Sequence, residues 1–414
     1  MKNQKANTSV IFLTVLIEML GVGIVIPIIP TLFFHEDSTF FAPGVHKATI
    51  GIYYGLLVSS FYVMQFFGAP FLGALSDRFG RKPLLNISLI GTCIGYGLFA
   101  VSIIYQNLWL MFFSRMLPGF MGGNISIIMS AMADISTAET KARNFGLVGA
   151  AFGVGFVLGP FIAGILGDSS IVPWFNYATP FWFTAILTFI NIFLVRFRFP
   201  ETLKEKSHRK ISFFSGVQNL VISFKTPNLR IIFIVVLLLG LGFTFFTQFF
   251  SVYLIEDFSY SLRDIGLFYA WVGVWLIFTQ GVIVRRMSGK VPSSQVISFT
   301  LLILSLSIGL LLIPGQSFWF FIISPFIAVS NGITGPNLTA VVSDQGSEDR
   351  QGEILGIKQS MQSVGAAIPP LIAGWLTSLD TSYPIVVSTI LILMSWLVYM
   401  IFFKGRRQVR KTEN

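Results

Sequence analysis

The sequence predicts an all-α polytopic membrane protein with twelve transmembrane helices arranged as two six-helix pseudo-repeats. Three observations carry that expectation. Apolar runs near 20 residues recur along the whole chain, Lys and Arg gather on one side of them, and segments of the first half return in the second at a nearly constant offset.

Of 414 residues, 54% are apolar and 11% charged. A run of about 20 residues crosses a hydrocarbon core about 30 Å thick. A soluble chain cannot hide so many such runs without leaving large apolar patches in water. Spans are expected at 9–34, 48–71, 84–104, 108–132, 145–166 and 178–195, then at 231–255, 265–284, 296–313, 318–342, 354–379 and 384–403. The domain plan is therefore a bundle over 1–195, a linker over 196–230, and a second bundle with a basic tail over 231–414.

The 28 Lys and Arg outnumber 18 Asp and Glu, a net charge of +10. Twenty-five of the basic residues fall on one side of the spans, Lys47 and Arg263 on the other, and Arg115 inside one. The positive-inside bias puts both termini in the cytoplasm of a plasma (inner) membrane, bacterial in kind. Positive charge here sets orientation and meets anionic lipid; it is not a nucleic-acid footprint. The first apolar run is too long for a signal-peptide core and lacks an A-x-A-like site, so it is expected to stay as the first span. A lone Cys93 excludes an intramolecular disulfide. His35, His46 and His208 show no metal spacing, and no G-x-x-x-x-G-K-[ST] phosphate loop is present. The expectation is no enzyme: no catalytic residue, no metal and no cofactor.

The repeat shows in "LGPFIAGILG" (158–167) and "IPPLIAGWLT" (368–377). An offset of 210 carries Pro160, Ala163 and Gly164 onto Pro370, Ala373 and Gly374, Asp134 onto Asp344, and Gly146 onto Gly356. Gly80 and Pro83 find Gly289 and Pro292 at 209. Three segments at nearly one offset make six helices plus six in the same orientation. Within the linker, 212–224 reads either as a short interfacial helix or as a solvated tether.

"GALSDRFGRKP" (73–83) concentrates charge between the second and third spans. Gly73 allows close backbone approach and Gly80 a tight reversal. Arg78, Arg81 and Lys82 suit a cytoplasmic loop. Asp77 is placed to accept from a helix N-terminus, and Arg78 to pair with Asp134 at the end of the fourth span. Such contacts would form a gate latch that breaks when that face opens.

G-x-L-x-D-R-x-G-R-K-x-x-L, running from Gly73 to Leu85, resembles the loop signature of the major facilitator superfamily. "SRMLPGF", with Arg115 and Gly119, resembles the R-x-x-x-G motif of its proton-linked members. Gly155, Gly159, Pro160 and Gly164 match the antiporter signature G-x-x-x-G-P-x-x-G-G, with Ala163 in place of one glycine. "LIEMLGVGIVIPIIP" (16–30) is similar to the first span of drug–proton antiporters, tetracycline exporters especially, which carry an acid where Glu18 stands. The resemblance implies the major facilitator fold, alternating access about a central site, and drug efflux coupled to protons.

The residues speak independently. Among the acidic residues only Glu18 lies near mid-span, about 13 Å beyond Ser9, and Arg115 is the one comparably deep base. A charge at that depth costs at least ~2.5–3.5 kcal/mol on insertion scales. A carboxyl avoids the cost by holding a proton, which makes Glu18 a candidate proton carrier. Arg115 does not deprotonate, so it needs a cavity, a carboxylate, carbonyls or an anionic substrate. A structural Glu18–Arg115 pair stays open beside those roles. Candidate cavity residues are Tyr62, Gln65, Asn124, Phe246, Gln248, Trp271, Trp275, Gln280, Asn331, Gln359 and Gln362, each also explicable as interhelical glue. Pro27 and Pro30 are expected to break the first span beyond Glu18.

The functional expectation is a monomeric, proton-coupled exporter of small amphipathic molecules, tetracycline-like compounds among them. The alternatives are a sugar or metabolite facilitator or symporter, and a lipid-linked sugar flippase.

Overall fold

A computed structural model describes residues 2–35, 40–42, 44–136, 138–203, 213–214, 217–218, 221, 227–287, 290–313, 315–343 and 351–404. Most of the linker, Asp344 and Gly289 lie outside them, as does most of the expected interfacial helix at 212–224.

Among the described residues, twelve long helices follow one another. They are α1 (Lys2–Phe34), α2 (Lys47–Phe79), α3 (Arg81–Ile104), α4 (Leu108–Asp134), α5 (Ala138–Leu166) and α6 (Thr179–Arg198), then α7 (Pro227–Phe258), α8 (Leu262–Met287), α9 (Ser293–Leu310), α10 (Phe318–Ser343), α11 (Gln351–Leu379) and α12 (Tyr383–Phe403). Among the described residues eleven of them, all but α11, are long and apolar enough to cross a membrane. The twelfth, α11, has 29 residues and carries Lys358, Gln359 and Gln362. All twelve coincide with the expected spans. They overrun them mainly at the ends near the basic loops, where α2 continues through Asp77 and Arg78 to Phe79.

Pro27 and Pro30 do not break α1, which runs unbroken through both. Thr31 Oγ1 donates back to Pro27 O at 2.8 Å, an i−4 hydroxyl bond within the same turns. The discontinuity lies in α4 instead. Helix Leu108–Met121 gives way at Gly122 and Gly123 to helix Asn124–Asp134. In α8, Thr279–Val284 forms a π-helical turn.

The chain packs as two compact units. One comprises Met1–Gly44, Ser60–Ser215 and Ser259–Ala270; the other comprises Val45–Ser59, Gly216–Phe258 and Trp271–Asn414. In the first, α1 lies along α5 and α6, and α3 along α4 and α6. Its core includes Ile11, Val15, Leu89, Ile127, Val148 and Val195, and Thr14 Oγ1 donates to Asn191 Oδ1 at 3.2 Å to tie α1 to α6. In the second, α7 lies along α11 and α12, and α9 along α10 and α12. Its core includes Phe233, Leu301, Val342 and Met361. Trp396 Nε1 donates to Ser298 O at 2.7 Å and Thr334 Oγ1 to Thr300 Oγ1 at 2.8 Å. Such hydroxyl and indole bonds are the usual glue between helices that lack a hydrophobic drive in lipid.

Relative to the halves of the sequence, each unit takes a short segment of the other half. Small residues explain it. In the first unit Gly266 of α8 meets Pro160 O and Gly164 Cα of α5. In the second, Gly51 and Gly55 of α2 meet the backbone of Gly374 and Pro370 of α11. Gly164 and Gly374 are the pair that the 210-residue offset relates, so the repeat recurs as packing. Turns after α5 and α11 repeat too: Asp168 Oδ1 accepts from Ser170 N and Asp380 Oδ1 from Ser382 N, both at 2.8 Å.

Candidate functional site

Glu18 is 6% exposed in the middle of α1, and Arg115 is 5% exposed on α4. The partner the structure gives Glu18 is Asn124, not Arg115: Asn124 Nδ2 donates to Glu18 Oε1 at 2.6 Å. Asn124 is fully buried. It opens the second part of α4, where Gly123 has released the helix; a Cβ on Gly123 would fall 2.5 Å from the Gly68 carbonyl carbon of α2. The Arg115 guanidinium lies over the Phe61 ring of α2, 4.4 Å from its centroid, a cation–π contact that gains strength away from water. Tyr62 stands next to Phe61 with rings 5.3 Å apart and feels the Arg115 charge. Tyr96 of α3 lies within electrostatic reach of both Glu18 and Arg115, its hydroxyl filling the space a side chain at Gly21 would need. Gln65 Nε2 donates to Gly122 O at 3.5 Å, at the break in α4. Glu18, Tyr62, Gln65, Arg115 and Asn124 thus lie in one region of the first unit, with Asn124 in direct contact with the carboxyl. Phe61 and Tyr96 join them and were not among the sequence candidates; phenylalanine, with 44 in the chain, is too frequent to signal a site.

The candidates of the second half are held in separate contacts among the described residues. Trp271 Nε1 donates to Phe321 O at 2.8 Å, and Gln280 Nε2, in the π-helical turn, to Gly332 O at 2.9 Å. Trp275 packs edge-on against Trp271 with centroids 5.9 Å apart. Phe246 is buried against Phe250, 5.0 Å between centroids. The Gln248 carbonyl accepts from the Tyr54 hydroxyl. Asn331 is half-buried, while Gln359 and Gln362 are exposed on α11.

At the charged loop the arginine that pairs is Arg81, not Arg78. Arg81 is buried and binds Asp77 through Nη1, Ser76 Oγ through Nη1 at 2.7 Å, and Asp134 Oδ2 through Nε at 3.2 Å. The fixed fork lets Nη1 and Nε address acceptors on α2 and α4 at the same time. Arg78 points outward over its neighbour Phe79, 5.5 Å from the ring centroid. Helical period explains the exchange: α2 runs through residue 79, so Ser76 and Asp77 face Arg81 across the Gly80 turn while Arg78 faces away. Gly80 holds φ at +110°, a region side chains rarely adopt.

Asp77 does not cap a helix; Glu201 does. Its carboxylate accepts from the first amides of α3, Arg81 N at 2.9 Å and Lys82 N at 3.2 Å. An anion at a helix N-terminus satisfies orphan donors and the dipole together. Thr202 Oγ1 donates to Asp134 Oδ2 at 3.1 Å, closing the ring from the segment that follows α6. Glu201 lies 120 residues from Arg81, and nothing in the local spelling "FPET" links them. Gly73 meets Ser126 Oγ of α4.

The glycines of α5 press against α1. A Cβ on Gly155 would fall 2.5 Å from Leu16 O, and one on Gly159 2.6 Å from Gly23 Cα and Leu20 O, flanking Glu18 above and below. Pro160 Cδ packs at Gly23 and Gly164 at Gly266. A carboxyl buried among apolar helices, beside an amide and near a guanidinium and tyrosines, can gain or lose a proton.

Similarity to known proteins now bears on this arrangement. The family model for the Major Facilitator Superfamily matches residues 11–357 and 286–414. The chain belongs to the major facilitator superfamily. It is therefore a multi-pass integral membrane protein of a family of transporters for small molecules, not of enzymes. It is 30% identical over 390 residues to the tetracycline resistance protein, class H, of Pasteurella multocida, covering 90% of each chain. It is 28% identical over 415 residues to the quinolone resistance protein NorA of Staphylococcus aureus, covering 98% of each. The crystal structure of the human organic anion transporter MFSD10 superposes with a TM-score of 0.73 at 21% identity, over 96% of this chain and 99% of that one, a likeness of fold.

Proposed function

We propose that the protein exports small amphipathic molecules, tetracycline-like or quinolone-like compounds among them, in exchange for protons. The observation that carries the reading is the buried Glu18–Asn124 bond: one carboxyl, sealed among α1, α4 and α5, in a chain otherwise stripped of mid-span acids. Intramembrane ionisable groups are functional by default, and a sealed carboxyl that opens to water on alternate faces moves a proton with each cycle. The drive is ~2.3 kcal/mol per charge per 100 mV and ~1.36 kcal/mol per pH unit. Arg115 balances charge beside it and offers a contact for an anionic substrate group. Tyr62, Gln65 and Asn124, with the candidates of the second half, supply polar contacts. Asp77, Arg81, Asp134 and Glu201 form the latch of the cytoplasmic gate. Both termini lie in the cytoplasm of a bacterial inner membrane, and the protein works as a monomer. The relatives named for tetracycline and quinolone resistance support the substrate class.

The test uses purified protein in liposomes under an imposed pH gradient. Lumenal pH is followed while tetracyclines, quinolones and cationic amphiphiles are added, for wild type and Glu18→Gln. Substrate-triggered proton movement lost in the variant is the expected result. Substrate flux without proton movement in either protein would overturn the coupling.

A further inference from the structure

The two polar clusters of the first unit are joined by one short helix. The part of α4 from Asn124 to Asp134 has 11 residues, about 15 Å of helix. Its first residue bonds Glu18 and its last bonds Arg81 and Thr202. At the Glu18 end Gly122 N keeps an α-type bond to Pro118 O at 2.6 Å. Beyond it the helix tightens: Gly123 N donates to Phe120 O at 3.2 Å, Ile125 N to Gly122 O at 3.4 Å, and Ser126 N to Gly123 O at 3.1 Å. These are i to i+3 bonds, the tighter geometry that marks hinges in mid-helix. Along its length it is clamped to α2, where Ser126 Oγ donates to Ala69 O at 2.8 Å.

The Asn124 amide itself is half used. Its Nδ2 serves Glu18, while Oδ1, equally buried, accepts no hydrogen bond from the described residues. A protonated carboxyl presents both an acceptor and a donor, and so satisfies both ends of a primary amide. A carboxylate presents acceptors only, leaving Oδ1 buried without a donor, an arrangement that costs about 1–3 kcal/mol. Among the described residues, the charged or titratable groups in this region besides Glu18 are Arg115 on α4 itself, Tyr96 on α3 and Tyr62 on α2 beside Arg115; α5 turns glycines toward it.

From this juxtaposition we infer that Asn124 is a positioning residue that reads the protonation state of Glu18 and transmits it, through the hinged helix Asn124–Asp134, to the Asp134–Arg81 contact at the charged end. Loss of the Glu18 proton turns the Asn124 amide, the helix pivots at Gly122–Gly123, and Asp134 shifts against Arg81 and Thr202. The inference rests on the proposed proton role of Glu18 and adds the residue and element that carry its signal.

Spin labels at Ala133→Cys on α4 and Phe197→Cys on α6, both exposed positions, in a Cys93→Ala background, report the movement. Distances are measured on full-length protein from about pH 5 to about pH 8. Wild type is expected to show a pH-dependent shift, and Glu18→Gln to lose it. Asn124→Leu, close in size but without the amide, is expected to lose it too, and Asn124→Gln to recover part of it. Should Asn124→Leu melt far below wild type, Asn124→Ala carries the same expectation. No shift in wild type, or a full shift in the Asn124 variants, overturns the inference. A full shift in Glu18→Gln overturns the proposed proton role as well, whereas a shift lost in Glu18→Gln and kept in the Asn124 variants overturns this inference alone.

Discussion

Arg81 shows what a single side chain can hold. Its fork gathers Asp77, Asp134 and Ser76, so Arg81→Lys should behave almost as badly as Arg81→Ala, because an ammonium cannot span three acceptors from that position. Arg78→Lys, at the neighbouring position of the same motif, should transport like wild type. Initial transport rates in vesicles, normalised to the amount of protein inserted, check both. Gly80 makes a second case. At φ +110° and ψ 150°, a region essentially confined to glycine, any side chain costs about 1–3 kcal/mol, and its Cβ would lie 2.5 Å from Glu201 Oε2. Gly80→Ala should therefore lower the melting midpoint in detergent by several degrees and weaken the α3 cap. How much of this was legible differs by residue. The depth of Glu18 and Arg115 follows from counting along a helix. That Arg81 and not Arg78 turns inward depends on where α2 ends, eight residues beyond the apolar run. Glu201 reaches α3 only through the fold, so the sequence carries no trace of that contact.

Between helices, glycine decides which pairs touch. At Gly155 and Gly159 of α5 the backbone of α1 is too close for a side chain, with Leu16 O, Leu20 O and Gly23 Cα in the way. At Gly149 of the same helix a Cβ would meet nothing within 4 Å. Gly159→Ala should thus destabilise by a few kcal/mol, since backbone on both sides leaves little to yield. Gly149→Ala should match wild type or gain slightly in helix propensity. Thermal melts monitored at Cys93 or by tryptophan fluorescence distinguish them. Here the sequence was informative, as the small-residue pattern of the antiporter signature already implied a close helix approach. It misled at α1, where prolines that break soluble helices are absorbed, and it passed over Gly122–Gly123, where the doublet before a polar residue was the available signal for a break.

Across the whole molecule the repeat makes paired expectations. Gly164 and Gly374 are equivalent by the 210-residue offset, and each packs on a glycine of a helix from the other half of the sequence. The second contact is the tighter, a reciprocal approach of Gly374 and Gly51 carbonyls, so Gly374→Ala should cost more stability than Gly164→Ala. The Asp168 and Asp380 turns are paired as well. Hydrogen bonds from Ser170 and Ser382 hold both carboxyls below the usual carboxylate range. Their stabilising contribution is therefore present above the unfolded value near pH 4 and is lost as pH falls through the lower folded value. Melting midpoints of Asp168→Asn and Asp380→Asn should converge on wild type in acid and fall below it near neutrality, modestly, because both turns are exposed.

The π-helical turn of α8 has a consequence for chain length. Thr279–Val284 spends one residue more per turn than the helix around it, and Gln280 uses that widened turn to reach Gly332 O. A chain one residue shorter there would close into ordinary α-helix and swing Trp271 and Trp275 about 100° around the axis, taking the Trp271 indole away from Phe321 O. Substitutions in this stretch should be tolerated far better than any single deletion, so in this helix the number of residues is constrained more tightly than their identity.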